Sequence, residues 1–138
     1  AARTQDIDDA LYAEVDANGW NLYVAIADPT SKISLNSELF KEIYERATSI
    51  YLHGDLISML PENLVRGLFA LDENQERNAI VCQMHISDQG EIKNYEFYEA
   101  TVRSKAKLSY YSVDKYLNGQ ADELLSHATP LEPLYQLY

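Results

Sequence analysis

The sequence is short of cysteine, of basic residues and of long apolar runs, and each shortage removes a class of protein. A single cysteine, Cys82, among 138 residues cannot close an internal disulfide. Without a second one, a zinc site of the Cys-x-x-Cys type cannot form either. The composition is that of a reduced protein, and a cytoplasmic location is expected. No apolar stretch approaches the roughly 18 to 20 residues that span a bilayer, and no basic stretch followed by an apolar core opens the chain as a secretory signal does. No membrane partner and no secreted precursor are therefore expected. Lys and Arg number 11 against 22 Asp and Glu, a net charge of −11 at neutral pH, so the chain as a whole is not a basic wrapper of nucleic acid. Any contact with a polyanion must be local or assisted by metal. Internal repeats and low-complexity tracts are missing too, which leaves one unit without a linker.

What the sequence has in quantity is tyrosine, 11 residues against three Phe and one Trp. A phenol buries a large area while its hydroxyl needs a partner, so half-buried strand positions account for most of them, and stacking on a ring is the alternative use. Leu11 to Asp16 and Trp20 to Ala27 read as strands, and Ala17-Asn18-Gly19 between them carries the Asn-Gly signal of a hairpin. Asp28-Pro29-Thr30 breaks the pattern and opens a loop that runs to about Asn36. From Ser37 to about Thr48, Leu39, Phe40, Ile43, Tyr44 and Ala47 recur at helical spacing, with Glu38 in the first turn. Pro61 suits the first position of a short helix ending near Gly67. Ala79 to Ser87 alternates Ile80, Cys82, Met84 and Ile86 against Val81, Gln83 and His85, and Glu91 to Lys107 continues an extended pattern after Asp88-Gln89-Gly90. The tail reads as short helical pieces around Val113 to Leu117, Ala121 to His127 and Leu131 to Tyr138. The expected class is mixed α+β, with β-hairpins forming part of a mostly antiparallel sheet packed with amphipathic helices.

Two local features could carry chemistry. Asp6-Ile7-Asp8-Asp9 places three carboxylates in four residues just before an apolar strand. Such a cluster repels itself unless a cation is present, and Mg²⁺ takes a few carboxylates together with phosphate and water. A solvated acidic turn is the alternative. An EF-hand does not fit, since a loop counted from Asp6 puts Leu11 where Gly is needed and Ala17 where Glu is needed. In Arg103-Ser104-Lys105-Ala106-Lys107 the cations sit two apart and share one face if the strand persists. That row is either a rail for phosphates, with Tyr110 beyond it as a stacking platform, or an edge strand protected by charge. His53, His85 and His127 are scattered without metal spacing, and Cys82 reads as core.

Thr4-Gln5-Asp6-Ile7-Asp8-Asp9-Ala10-Leu11 resembles the acidic signature that opens the catalytic (RNB) domain of the bacterial exoribonuclease II and ribonuclease R family. Val24-Ala25-Ile26-Ala27-Asp28-Pro29-Thr30, Thr48-Ser49-Ile50-Tyr51-Leu52, Met59-Leu60-Pro61 and Ser104-Lys105-Ala106-Lys107-Leu108-Ser109-Tyr110 resemble that family in the same order, and the Pro-Thr version is closer to exoribonuclease II. The resemblance implies a processive hydrolase that degrades single-stranded RNA from its 3′ end with Mg²⁺ and releases nucleoside 5′-monophosphates. It implies that Asp6 and Asp9 hold the metal and that Asp8 is the carboxylate whose loss most damages cleavage. Tyr51 and Tyr110 match tyrosines that contact RNA; Arg103, Lys105 and Lys107, on the rail reading of the cationic row, are the candidate contacts to its phosphates.

In that family another metal-site Asp precedes the signature, where this chain reads Ala1-Ala2-Arg3, and the catalytic domain continues past the position of Tyr138. The expectation is a single partial domain over residues 1–138, the N-terminal portion of an RNB catalytic domain, nearly inactive alone. A truncated domain is expected to leave apolar surface or a strand edge uncovered, and so to self-associate. The competing readings are a non-catalytic RNA-binding or interaction module that kept the fold, and an acidic protein-interaction domain. The last explains the charge but neither the aspartates nor the cationic row.

Overall fold

The computed structural model describes residues 7–53, 55–120 and 128–137. Four strands, β1 (Asp9–Asp16), β2 (Gly19–Ala27), β5 (Glu76–Ser87) and β6 (Ile92–Arg103), form one antiparallel sheet in the order β1-β2-β5-β6. Between β2 and β5 the chain leaves the sheet to make a 3₁₀ turn at Pro29–Ser31, helix α1 (Glu38–Arg46), a two-stranded ribbon of β3 (Ile50–Tyr51) and β4 (Leu56–Ile57), and helix α2 (Glu62–Leu64). A π turn, Val65–Phe69, follows α2 and returns the chain to the sheet. Helices α3 (Tyr110–Leu117) and α4 (Ala128–Leu137) come after it, and α4 packs on β1 and part of β2. The fold is the mixed α+β class expected. Among the described residues no helix is long and apolar enough to cross a membrane.

Local chemistry explains most of the boundaries. The Ser37 hydroxyl accepts from the Phe40 N–H at 3.1 Å and starts α1, and Ala47 ends it in the left-handed region at φ 57°. The helix is therefore shorter than the periodicity of its side chains suggests. Pro61 stands just before α2 rather than inside it. Strand β4 was not expected: a two-residue strand leaves too little alternation to read, and the ribbon is closed by Leu52 and Asp55, whose backbones exchange bonds of 2.9 and 3.3 Å. Helix α4 contains Pro133, as expected, but starts at Ala128 rather than at Leu131. The helical piece expected over Ala121 to His127 lies outside the described residues.

The first hairpin departs from its sequence signal in an instructive way. The loop is Ala17-Asn18, and Gly19 is already strand, paired with Asp16 on one side and Ser87 on the other. Gly19 sits at φ 140°, and a Cβ there would lie 2.0 Å from the Ile86 carbonyl oxygen. The glycine is needed for the close approach of β5 rather than for the turn.

Registered rungs divide the sheet into two faces. On one, Ala25, Ala79 and Val81 form a buried cluster with Leu71, and Ile7, Ala10, Tyr23, Ala27, Ala100 and Val102 pack around it. In β5 the buried residues at this end are thus Ala79 and Val81, which alternate with Ile80, because Leu71 packs on that side. On the other face Leu11, Val24, Cys82 and Phe97 share a rung, as do Ala13, Leu22, Met84 and Tyr95. Much of this face is open: Leu11 is 54% exposed, Tyr95 66% and Phe97 67%.

Gly19→Ala is expected to cost about 2 to 4 kcal/mol, since the new Cβ meets backbone at a positive φ. Gly67→Ala, where an added Cβ meets nothing within 4 Å, should change stability by less than about 1 kcal/mol; urea unfolding of both variants checks the contrast.

The hydroxyl of Tyr23 donates to Glu14 Oε1 at 3.1 Å. Burial, followed by the hydrogen bond and charge of Glu14, holds the Tyr23 phenol above its usual range. The unfolded chain releases this proton near about pH 10 while the folded chain keeps it, so above that pH the unfolded state binds fewer protons and stability falls. Between pH 9 and 11 the urea midpoint should drop less steeply in Tyr23→Phe than in the native sequence; identical slopes would remove Tyr23 as the cause.

Candidate functional site

The acidic segment is held at one end of the sheet by apolar anchors and backbone bonds. Ile7 and Ala10, three residues apart, both pack on the cluster around Leu71, so the strict alternation of a strand is not kept between them. Asp8 and Asp9 lie between the anchors and are both exposed. Their backbone is pinned from two sides: the Leu71 N–H donates to the Ile7 carbonyl at 2.8 Å, and the Ala27 N–H donates to the Asp8 carbonyl at 2.8 Å. Asp9 begins β1 opposite Ile26. Asp6 lies outside the described residues, and among those described no group of three or more His, Cys, Asp or Glu side chains converges as a metal site. What the described part offers is two carboxylates with hard oxygen donors on a fixed backbone.

Beside them sits a carboxylate that the sequence reading did not single out. Asp28 is 8% exposed, and its Oδ1 accepts from the Thr30 N–H at 2.9 Å and from the Thr30 hydroxyl at 2.5 Å. Its own N–H donates to the Asn78 carbonyl at 2.9 Å, and the Ser31 hydroxyl donates to the Asp28 carbonyl at 2.7 Å. The signal was present in Asp28-Pro29-Thr30, an acceptor side chain followed by Pro and a residue with two donors, which is how an Asx turn closes.

The cationic row changes character along its length. Arg103 is the last residue of β6 and ion-pairs with Glu76, directly opposite on β5. Lys105 and Lys107 lie beyond the strand, contrary to the expected strand through Lys107. The reason is the partner: β5 begins at Glu76, so no strand remains to pair with residues past Arg103, and the Ser104 carbonyl instead accepts from the Asn74 N–H at 2.8 Å. The exposure pattern nevertheless keeps its alternation, with Arg103, Lys105 and Lys107 exposed and Ser104, Ala106 and Leu108 half-buried. The single turn from Leu71 to Asn74 therefore touches both the acidic and the cationic segments. Arg77 holds that turn in place through its Nε, which donates to the Ala70 carbonyl at 3.1 Å.

The two tyrosines stand apart from this turn. Tyr51 ends β3, paired with Leu56, and is 74% exposed. Tyr110 opens α3 behind the Ser109 cap and is 98% exposed. Neither ring is committed to a core, and nothing in the fold of the described residues stacks them against Asp8 or Asp9.

The fold is thus an antiparallel α+β unit with exposed aspartates where one edge strand begins and a cationic segment where the other edge strand ends. The family model described as the RNB domain matches residues 1–138, and the chain belongs to that family. It is 42% identical to exoribonuclease 2 of Psychromonas ingrahamii over 118 residues, 85% of this chain and 18% of that protein. It is 38% identical to ribonuclease R of Escherichia coli over 140 aligned residues, 96% of this chain and 17% of that protein. Its fold matches that of Mycoplasma genitalium RNase R in complex with double-stranded RNA with a TM-score of 0.92 at 35% identity, covering 99% of this chain and 25% of the other. The chain thus spans under a fifth of the length of these curated relatives.

Proposed function

We propose that this chain carries the acidic end of the catalytic domain of an exoribonuclease, and that the complete enzyme degrades single-stranded RNA processively from the 3′ end with Mg²⁺, releasing nucleoside 5′-monophosphates in the cytoplasm. The observation that carries this reading is the pairing of relatives named exoribonuclease 2 and ribonuclease R, at 42% and 38% identity, with an Asp8-Asp9 segment exposed on a pinned backbone. RNA as the partner is supported by the RNA-bound RNase R of matching fold.

The donor set suits the metal: exposed carboxylates are hard ligands of the kind Mg²⁺ combines with phosphate and water. Asp6 and Asp9 would hold the ion. When bound, it supplies charge neutralisation at the phosphate and activation of water. Asp8 serves the cleavage step with a carboxylate whose backbone is already fixed, so little reorganisation is needed when RNA arrives. Arg103, Lys105 and Lys107 draw phosphates toward an otherwise acidic chain. Tyr51 and Tyr110 offer exposed rings on which bases of any sequence stack. The 138 residues alone are expected to be nearly inactive.

In the complete enzyme, Asp8→Asn should lower hydrolysis by about 100-fold or more while leaving RNA binding intact. Shortening of a 5′-labelled single-stranded RNA with Mg²⁺ and with EDTA, beside a binding titration, checks this. Unchanged turnover would favour a non-catalytic RNA-binding module of the same fold.

The open rungs around Leu11, Tyr95 and Phe97 and the exposed edge of β6 also support self-association of the 138-residue chain. Size-exclusion chromatography with light scattering should give a mass that rises with concentration; a constant monomer mass would rule this out.

A further inference from the structure

Asp28 is the one ionisable residue in the buried class among the described residues, and the proposed reaction gives it no task. Its carboxylate does not face the exposed aspartates as a ligand. It folds back on Thr30, accepting both the N–H and the hydroxyl of that residue, and so locks the chain direction where β2 ends. The neighbouring peptide units then fall into place on both sides. Ala27 donates to the carbonyl of Asp8, and Asp28 donates to the carbonyl of Asn78, so this turn ties the start of β1 to the start of β5.

We infer that Asp28 is a positioning residue for Asp8, acting through the Ala27 amide rather than by touching substrate or metal. The inference rests on the exoribonuclease reading for its effect on rate, and on geometry alone for its effect on the Asp8 backbone. The role belongs to the acceptor oxygen. A neutral amide in its place can still accept from Thr30, whereas a methyl group cannot.

Two substitutions in the full-length polypeptide separate these possibilities. Asp28→Ala should lower kcat by about 10- to 100-fold with KM for single-stranded RNA within about twofold, the signature of a misplaced reacting group rather than of lost binding. Asp28→Asn should restore kcat to within about threefold of the native value, because Thr30 keeps its acceptor. Hydrogen exchange, read by mass spectrometry with residue-level fragmentation, supplies the second measurement. The Ala27 amide should exchange about tenfold faster in Asp28→Ala, while amides of Leu11–Asp16 stay protected and Asp28→Asn matches the native chain.

Unchanged kcat and unchanged Ala27 exchange in Asp28→Ala would overturn the inference. So would equal damage from Asn and Ala, which would assign the role to charge, and so would faster exchange across all four strands, which would assign it to general stability. If the native polypeptide hydrolyses no RNA with Mg²⁺ while Ala27 exchange responds as described, the exoribonuclease reading fails and the placement of Asp8 by Asp28 is upheld.

Discussion

The seating of Leu71 on a floor of alanines is the contact on which the rest of the structure depends. Leu71 is 2% exposed and lies over Ala25, Ala79 and Val81, with Ala10, Ala27 and Ala100 around them. Small side chains on all four strands of the sheet let the returning loop approach closely enough for its backbone to bond as well as pack. The Leu71 N–H then takes the Ile7 carbonyl, and three residues later the Asn74 N–H takes the Ser104 carbonyl. Asn74 reaches that position at φ 60°, a region its side chain tolerates better than most. One apolar contact thus sets the place of both charged segments.

This arrangement resolves a conflict inside the sequence. Carboxylates close in sequence repel one another and resist burial, yet this segment sits on a backbone that is held still. Here the holding is delegated to uncharged groups. Ile7 and Ala10 anchor the segment through packing, the carbonyls of Ile7 and Asp8 are bonded to amides of Leu71 and Ala27, and the carboxylates of Asp8 and Asp9 remain in solvent. The buried carboxylate nearby, Asp28, is satisfied by Thr30 and supports the same backbone. At the opposite edge of the sheet Arg103 closes the last rung with Glu76 before the chain departs with Lys105 and Lys107.

Much of this was legible beforehand where a short stretch carries its own physical signal. The alternation in 11–16, 20–27 and 79–87 identified three strands of the sheet, and the i, i+3, i+4 spacing from Leu39 to Ala47 identified α1. The same reasoning stumbled where the deciding partner is distant in sequence. Asn18-Gly19 looks like a turn pair, but the constraint on Gly19 comes from Ile86 and Ser87 across the sheet. Arg103 to Lys107 looks like a continuing strand, but pairing stops where β5 starts, 27 residues earlier in the chain. Asp28 reads as a turn former, and its burial beside Asp8 follows from the pairing of β1, β2 and β5.

By itself, then, the sequence determined the α+β class, the hairpins, α1 and the acidic and cationic segments as separate features, because periodicity, capping and charge act over a few residues. Only the tertiary structure decided which face of β5 is buried, where the cationic row leaves the sheet, and that Leu71, Asn74 and Asp28 hold the charged segments in place. Those outcomes depend on a loop returning across some forty residues to an alanine floor, and the energy of that contact is shared among strands that no local window spans.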